Sequence, residues 1–459
     1  MLNALVVGGE SERGRLIKLC NELKELGINP VPSLLRLKPL NEQTFIFDME
    51  HIEDSKHCDV LIPLNSGVLK LIMIPMFKED RFSVLITKND MKIPVFTVCD
   101  DMLGENSILA ISFLKYSHKG ISFEDFIKSF LSHDSVNYLF VDKAQIRYIS
   151  NFVPNCFYSP FSLWFDFQDF KPDDQDIDIS FCGSLGYAEV ISGYEGIFHK
   201  SLIDKIKNPA KPLFEIFLDN ISFFRCGLAP SNPLFWILYK HISWEFVNPL
   251  VRVFFLGNIR RDIKVFGFDT VSFSRFTALY NSQRMELVKV TELSLTLLER
   301  GLFSTDLKGV YVLDRVGDIQ FPSLDNILPQ GRISFENLSE IFRRTKINIL
   351  VSNMILQSGI PTKLLECLSA GGFFLTDPRY DMKDVFGDEI EIVTYRTPEE
   401  LNEKIEYFLS HPKERCEIVW HLRKKFLDFM KGMTPVQVFI EFMNGNLKVF
   451  QNMNQTKSS

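Results

Sequence analysis

Residues 351–377 read VSNMILQSGIPTKLLECLSAGGFFLTD. They set a short loop between an apolar run and a helix-forming run. The small pair Ser358 and Gly359 lets a ligand approach the backbone. A helix that begins near Pro361 presents free N–H groups and the positive end of its dipole, which suits a diphosphate. Lys363 and Glu366 are three residues apart and share one helix face. A cation there can pair with phosphate, and a carboxylate can accept hydrogen bonds from a ribose diol. Asp377 closes the next apolar run at the same sheet edge, where ligands bind in open α/β sheets; a turn-capping role is its alternative. In the first half, Asp100 and Asp101 follow PVFTVC. A carboxylate at that strand end can deprotonate an acceptor hydroxyl as general base. The alternative is a turn aspartate. Gly8, Gly9 and Gly14 follow the first apolar run without the GxGxxG spacing. His51, His57 and His133 have no partner at ligand spacing, so no metal is expected.

These residues need a scaffold. LNALVVGG, ESERG and RLIKLCNELKELG read as strand, turn and helix, with Leu16, Leu19 and Leu23 at helical spacing. The runs TFIFDM, VLIPL, FSVLIT, PVFTVCDD and NYLFVD continue as strands between polar or helical segments, the rhythm of a parallel sheet. The acidic run KPDDQDID marks a junction. IDISFC, DIKVFG, GVYVLD, INILVS, GFFLTD and EIEIVTY then read as strands of a second α/β unit. The expected division is residues 1–174, residues 175–430 and a C-terminal helix and tail over 431–459. A helical insertion is expected over about 190–255.

Composition narrows the function. The chain has 459 residues and a net charge of −7. This argues against nucleic acid as the main partner, because phosphate neutralisation needs a basic face, and leaves a local basic patch open. The eight cysteines form no CxxC pair, as expected of reduced thiols in a cytoplasmic protein. Residues 211–257 are rich in apolar side chains but carry seven charges and four prolines. They read as buried or amphipathic helices, with a peripheral membrane contact left open.

The stretch 331–413 resembles the C-terminal domain of the CgeB/YkvP-like glycosyltransferases, which have the GT-B fold. The resemblance rests on Gly331-Arg332-Ile333, Lys346-Ile347-Asn348, Ser358-Gly359-Ile360-Pro361, Glu366, Gly371-Gly372, Leu375-Thr376-Asp377 and His411-Pro412. The runs at 153–167, 176–185 and 262–269 resemble the family's linker and its first two strands of that domain. The resemblance implies two Rossmann-like domains facing a cleft, with a nucleotide-diphosphate-sugar donor on the C-terminal one. Gly183 and Ser184 would approach the donor phosphates. Gly359, Ile360, Pro361 and Thr362 would start the phosphate-binding helix. Lys363 would take the place of the family's basic residue, Glu366 that of its ribose-binding acid, and Arg332 would line the base pocket. Two positions depart from the wider pattern. Ser358 stands where many retaining enzymes carry a first glutamate, and Lys363 replaces a frequent arginine and its bidentate fork.

The expected protein is therefore a metal-independent glycosyltransferase without a resident cofactor. It would move a hexosyl group from a nucleotide sugar to a glycan, protein or small-molecule acceptor. The alternatives are a non-catalytic GT-B scaffold and a nucleotide-sugar epimerase or hydrolase.

Overall fold

The computed structural model describes residues 2–9, 13–39, 45–49, 58–64, 76–78, 81–83, 94–99, 122–131, 136–150, 155–160, 175–185, 194–267, 285–286, 310–311, 315–316 and 319–445, with isolated positions between them. The chain forms two compact units. The first comprises Met1–Trp164, Ala229–Ile237 and Met433–Ser459. The second comprises Phe165–Leu228 and Leu238–Gly432.

The first unit is built on seven strands. They are β1 (Leu2–Gly9), β2 (Ile28–Pro39), β3 (Phe45–Met49), β4 (Val60–Pro63), β5 (Val95–Cys99), β6 (Val136–Phe140) and β7 (Cys156–Tyr158). Their spatial order is β3-β2-β1-β4-β5-β6-β7. All neighbours run parallel except β3, which is antiparallel to β2. Ala4 to Val7 are fully buried, the continuous apolar run of a strand covered on both faces. Helix α1 (Arg13–Glu25) lays Leu16, Leu19, Cys20 and Leu23 into the core. Two further helices follow, α2 (Phe123–Leu131) and α3 (Lys143–Ile149), and Asp142 caps α3 through Gln145 N.

The second unit has a five-stranded, wholly parallel sheet. Its strands are β8 (Ile177–Cys182), β9 (Ile263–Phe266), β10 (Ile327–Gly331), β11 (Thr345–Leu350) and β12 (Phe374–Thr376), in the order β10-β9-β8-β11-β12. The chain builds outward from β8 through β9 to β10, then crosses back to β11. The order therefore reverses between β8 and β11, the switch point at which doubly wound sheets bind ligands. Between β8 and β9 lie the expected inserted helices: α4 (Glu195–Lys207), α5 (Leu213–Phe223), α6 (Pro233–Lys240), a π-helical segment (His241–Val247) and α7 (Asn248–Gly257). After β10 come α8 (Phe335–Arg344), α9 (Thr362–Ser369), α10 (Met382–Phe386), α11 (Pro398–Ser410), α12 (Pro412–Met430) and, in the first unit, α13 (Pro435–Met443). Among the described residues, no helix is long and apolar enough to cross a membrane.

Three strand expectations need correction, and two strands were not expected. EIEIVTY forms a 3-10 helix over Gly387–Val393, and only Thr394 reaches the sheet, through a parallel bridge to Thr376. The alternating pattern misled because Glu391 is held by Lys383 and Arg396 rather than by a neighbouring strand. In GVYVLD, Val310–Tyr311 pairs antiparallel with Met285–Glu286, outside the five-stranded sheet. In FSVLIT, the described part pairs in a short hairpin with Met76–Lys78. Two real strands, β2 and β10, carry Pro30, Pro32 and Pro39, and Pro329, which argue against a strand when only the sequence is read. β10 escapes that rule because it is an edge strand.

Candidate functional site

The C-terminal ends of β8, β9 and β10 are tied together by their turns. Gly183 N donates to Phe266 O, and Gly267 N donates to Gly331 O. Gly267 has φ +135, and a Cβ there would lie 2.5 Å from Gly183 O. Only glycine allows that approach. Gly183 is half-buried, while Ser184 and Arg332 are exposed. One sheet edge therefore carries Gly183, Ser184 and Arg332.

The loop after β11 reaches the same edge and is fixed from several sides. Asp377, just past β12, accepts from Ser352 N at 2.7 Å and from Ser352 Oγ at 2.6 Å. Its other oxygen pairs with Arg379 Nη2 at 3.0 Å, and Arg379 Nη1 donates to Leu356 O. Both side chains are buried. A buried carboxylate is tolerated when its oxygens are paired this completely. Asp377 thus braces the loop. Gln357, fully buried, reaches the insertion. Its Oε1 accepts from Phe214 N at 2.8 Å, supplying the cap that the start of α5 lacks, and its Nε2 donates to Tyr239 Oη at 2.7 Å. Asn248 Oδ1 accepts from Met354 N. Ser358 is buried, and its carbonyl accepts from Asp381 N at 3.0 Å.

This framework delivers α9. Ile360 and Pro361 are buried and anchor its start. Pro361 is the N-cap, and no side chain caps the helix. Leu364 N and Leu365 N turn back to Pro361 O, which leaves the N–H groups of Thr362 and Lys363 to solvent or a ligand. Thr362 and Lys363 are half-exposed. A cation in a helix's first turn opposes the dipole unless an anion joins it. Lys363 Nζ lies 2.9 Å from Glu366 Oε2, with side-chain exposures of 42% and 7%. Among the described residues, neither oxygen of Glu366 takes part in an aligned hydrogen bond. A buried carboxylate with open acceptor positions is costly in a finished structure and fits a site whose remaining donors come from a ligand.

Sequence reasoning missed one residue of this edge. Arg252, on α7, donates from Nη1 to Ser184 O at 2.8 Å, and its guanidinium stands over the Phe181 ring at 5.8 Å. Its Nε is buried and has no partner among the described residues. Burial lowers its pKa to about 10, with Asp377 acting in the opposite sense, so it stays charged at neutral pH. Cys182 closes β8 under the same cluster. Burial pushes its thiol to about 12, Lys363 pulls it down and Glu366 pushes it up. No sequence signal pointed to Arg252, since it lies inside the insertion rather than at a strand end.

Gly183, Ser184, Arg332, Ser358, Gly359, Ile360, Pro361, Thr362, Lys363 and Glu366 all belong to this one edge or its loop. Asp100 and Asp101 lie outside the described residues. Among the described residues, no group of three His, Cys, Asp or Glu side chains is placed to share a metal ion.

Residues 302–431 match the family model described as glycosyl transferase-like. The match spans β10, α8, β11, the braced loop, α9 and the chain up to α12. No curated protein matches the sequence. Among solved structures, the chain is similar to T4 phage BGT in complex with UDP and Mn2+, at 12% identity and a TM-score of 0.46, covering 97% of this chain and 100% of that one. It is also similar to Anabaena Alr3699/HepE in complex with UDP and glucose, at 9% identity and a TM-score of 0.45, covering 97% and 100%.

Proposed function

We propose that this chain is a glycosyltransferase of the GT-B type, within the CgeB/YkvP-like group. It would take a hexosyl group from a nucleotide-diphosphate sugar held at the switch point of the second unit. The observation that carries this reading is Glu366, a buried carboxylate without an aligned hydrogen bond, beside the uncapped start of α9 and Lys363. The helix N-terminus and Lys363 would stabilise charge on the departing diphosphate. Arg252 would add the planar cation that Lys363 does not provide. Glu366 would accept from the ribose diol, and Arg332 would stand at the base. With two cations and a helix end available, the diphosphate needs no metal. Closure over the donor would exclude water and align an acceptor oxygen with the anomeric carbon. The acceptor, glycan, protein or small molecule, falls to the first unit, with Asp100 or Asp101 as general base.

The test is a thermal-shift panel of UDP, GDP, ADP, CMP and dTDP conjugates with and without a chelator. One nucleotide should raise the melting temperature of the wild type, equally in both conditions, by an amount that grows with ligand concentration. Glu366→Ala should lose that response while melting as a folded protein. A folded wild type that responds to none of them would sink the donor-site reading and favour a non-catalytic scaffold.

A further inference from the structure

Helix α5 ends on two neighbouring rings that the core does not use. Phe223 is 68% exposed and Phe224 40% exposed. The rings meet edge-on at 5.1 Å between centroids. They are seated rather than loose. Lys200 Nζ stands 5.3 Å over the Phe223 ring, and a Cβ at Gly196 would lie 2.8 Å from the Phe224 ring. The chain then reverses through Arg225 at φ +52 and Gly227 at φ +65. A left-handed arginine is an uncommon choice for such a turn. The turn leaves Arg225 exposed, and no acceptor among the described residues engages it. Lys200 is already paired with Asp204 at 2.9 Å, so Arg225 sets the local charge. Asp219, one turn before Phe223 on α5, is paired with Lys211 at 2.6 Å, and residues 220–244 contain no Asp or Glu, in a chain whose net charge is −7.

A pair of exposed aromatic rings with one free cation, beside an acid already neutralised by Lys211, fits a surface with an apolar interior and an anionic skin. From this we infer that the Phe223-Phe224-Arg225 tip is an anchor for an anionic lipid bilayer. The two rings enter the interface, and Arg225 stays at the headgroups. The acidic remainder of the chain would be repelled from such a surface, so the contact is local and its strength depends on these three side chains. The inference is independent of the donor site.

The experiment is co-sedimentation of the full chain with phosphatidylcholine vesicles and with vesicles that also contain phosphatidylserine, at physiological salt. The wild type should pellet with the anionic vesicles and stay in solution with the neutral ones. F223S/F224S should bind the anionic vesicles roughly tenfold less or weaker still, since each ring removed forfeits its apolar burial. R225E should also lose binding and should melt as the wild type does, which keeps the test apart from misfolding. The inference is overturned if the wild type stays in solution with both vesicles, or if F223S/F224S pellets like the wild type. It is equally overturned if the wild type self-associates without vesicles and F223S/F224S does not, which would assign the rings to a second copy.

Discussion

At the scale of the residue, the proposed donor site rests on three side chains, and two of them stand out in the sequence. Lys363 and Glu366 stood out because helical spacing places them together and helix starts favour anions. Arg252 did not, because nothing in RVFFLG announces where α7 will point. Its contact with Ser184 O makes a specific expectation. A hydrogen bond to a charged group contributes about 1.5–3 kcal/mol, and a planar guanidinium can make two to one phosphate group. Arg252→Ala should therefore weaken binding of the stabilising nucleoside diphosphate by roughly ten- to a hundredfold, while leaving the matching nucleoside nearly unaffected. Isothermal titration with both ligands measures the difference. Equal losses for nucleoside and diphosphate would remove Arg252 from the phosphate contacts and leave it only a brace of the Ser184 turn. Asp377 shows the opposite relation. Its place at a strand end suggested a pocket edge, yet both its oxygens are consumed by Ser352 and Arg379.

At the scale of the element, the insertion is part of the site's support. Tyr239 and Asn248 both hold the loop before α9, through Gln357 and Met354. They are nine residues apart. At 3.6 residues per turn that is about two and a half turns, which would put them on opposite helix faces. The π-helical segment His241–Val247 between them widens the turn and brings both side chains round to the loop. Gln357 is the hinge of this arrangement, since it serves the start of α5 and Tyr239 together. Gln357→Leu keeps the approximate volume but removes the acceptor of Phe214 N and the donor to Tyr239 Oη. It should cost roughly 1–3 kcal/mol. A urea titration would show this as a lower midpoint at unchanged slope. An unchanged midpoint would mean that the insertion does not support the loop. The sequence showed that residues 190–255 form helices but not what those helices hold, because the contacts join positions more than a hundred residues apart. The same limit explains β2 and β10. Their prolines weaken a local strand signal, and only sheet neighbours override it.

At the scale of the whole molecule, the alternation of strands and helices was readable because parallel sheets demand it, and both sheets follow the order that such alternation produces. The sheet proposed to carry the donor is also chosen by position. The switch point of the second sheet lies between β8 and β11, and every residue proposed for the donor side leaves from one of its strand ends or from the helices beside them. The glycyl ties of Gly183, Gly267 and Gly331 make that edge one braced surface. The first sheet has its own switch point between β1 and β4, but Gly8 there is packed against Leu64 rather than open, since a Cβ on it would meet that side chain at 2.6 Å. A bound nucleotide should therefore slow amide exchange in the second unit first, in peptides covering residues 180–186, 330–334 and 350–369, by adding partners to the open N–H groups of Thr362 and Lys363. Peptides of β1 and β4 should exchange as before. Hydrogen exchange on the full chain, with and without the nucleotide found in the thermal panel, reads both at once. Protection over β1 and β4 with none over residues 350–369 would move the donor to the first sheet. The Lys363–Glu366 pair would then be an ordinary ion pair at a helix start.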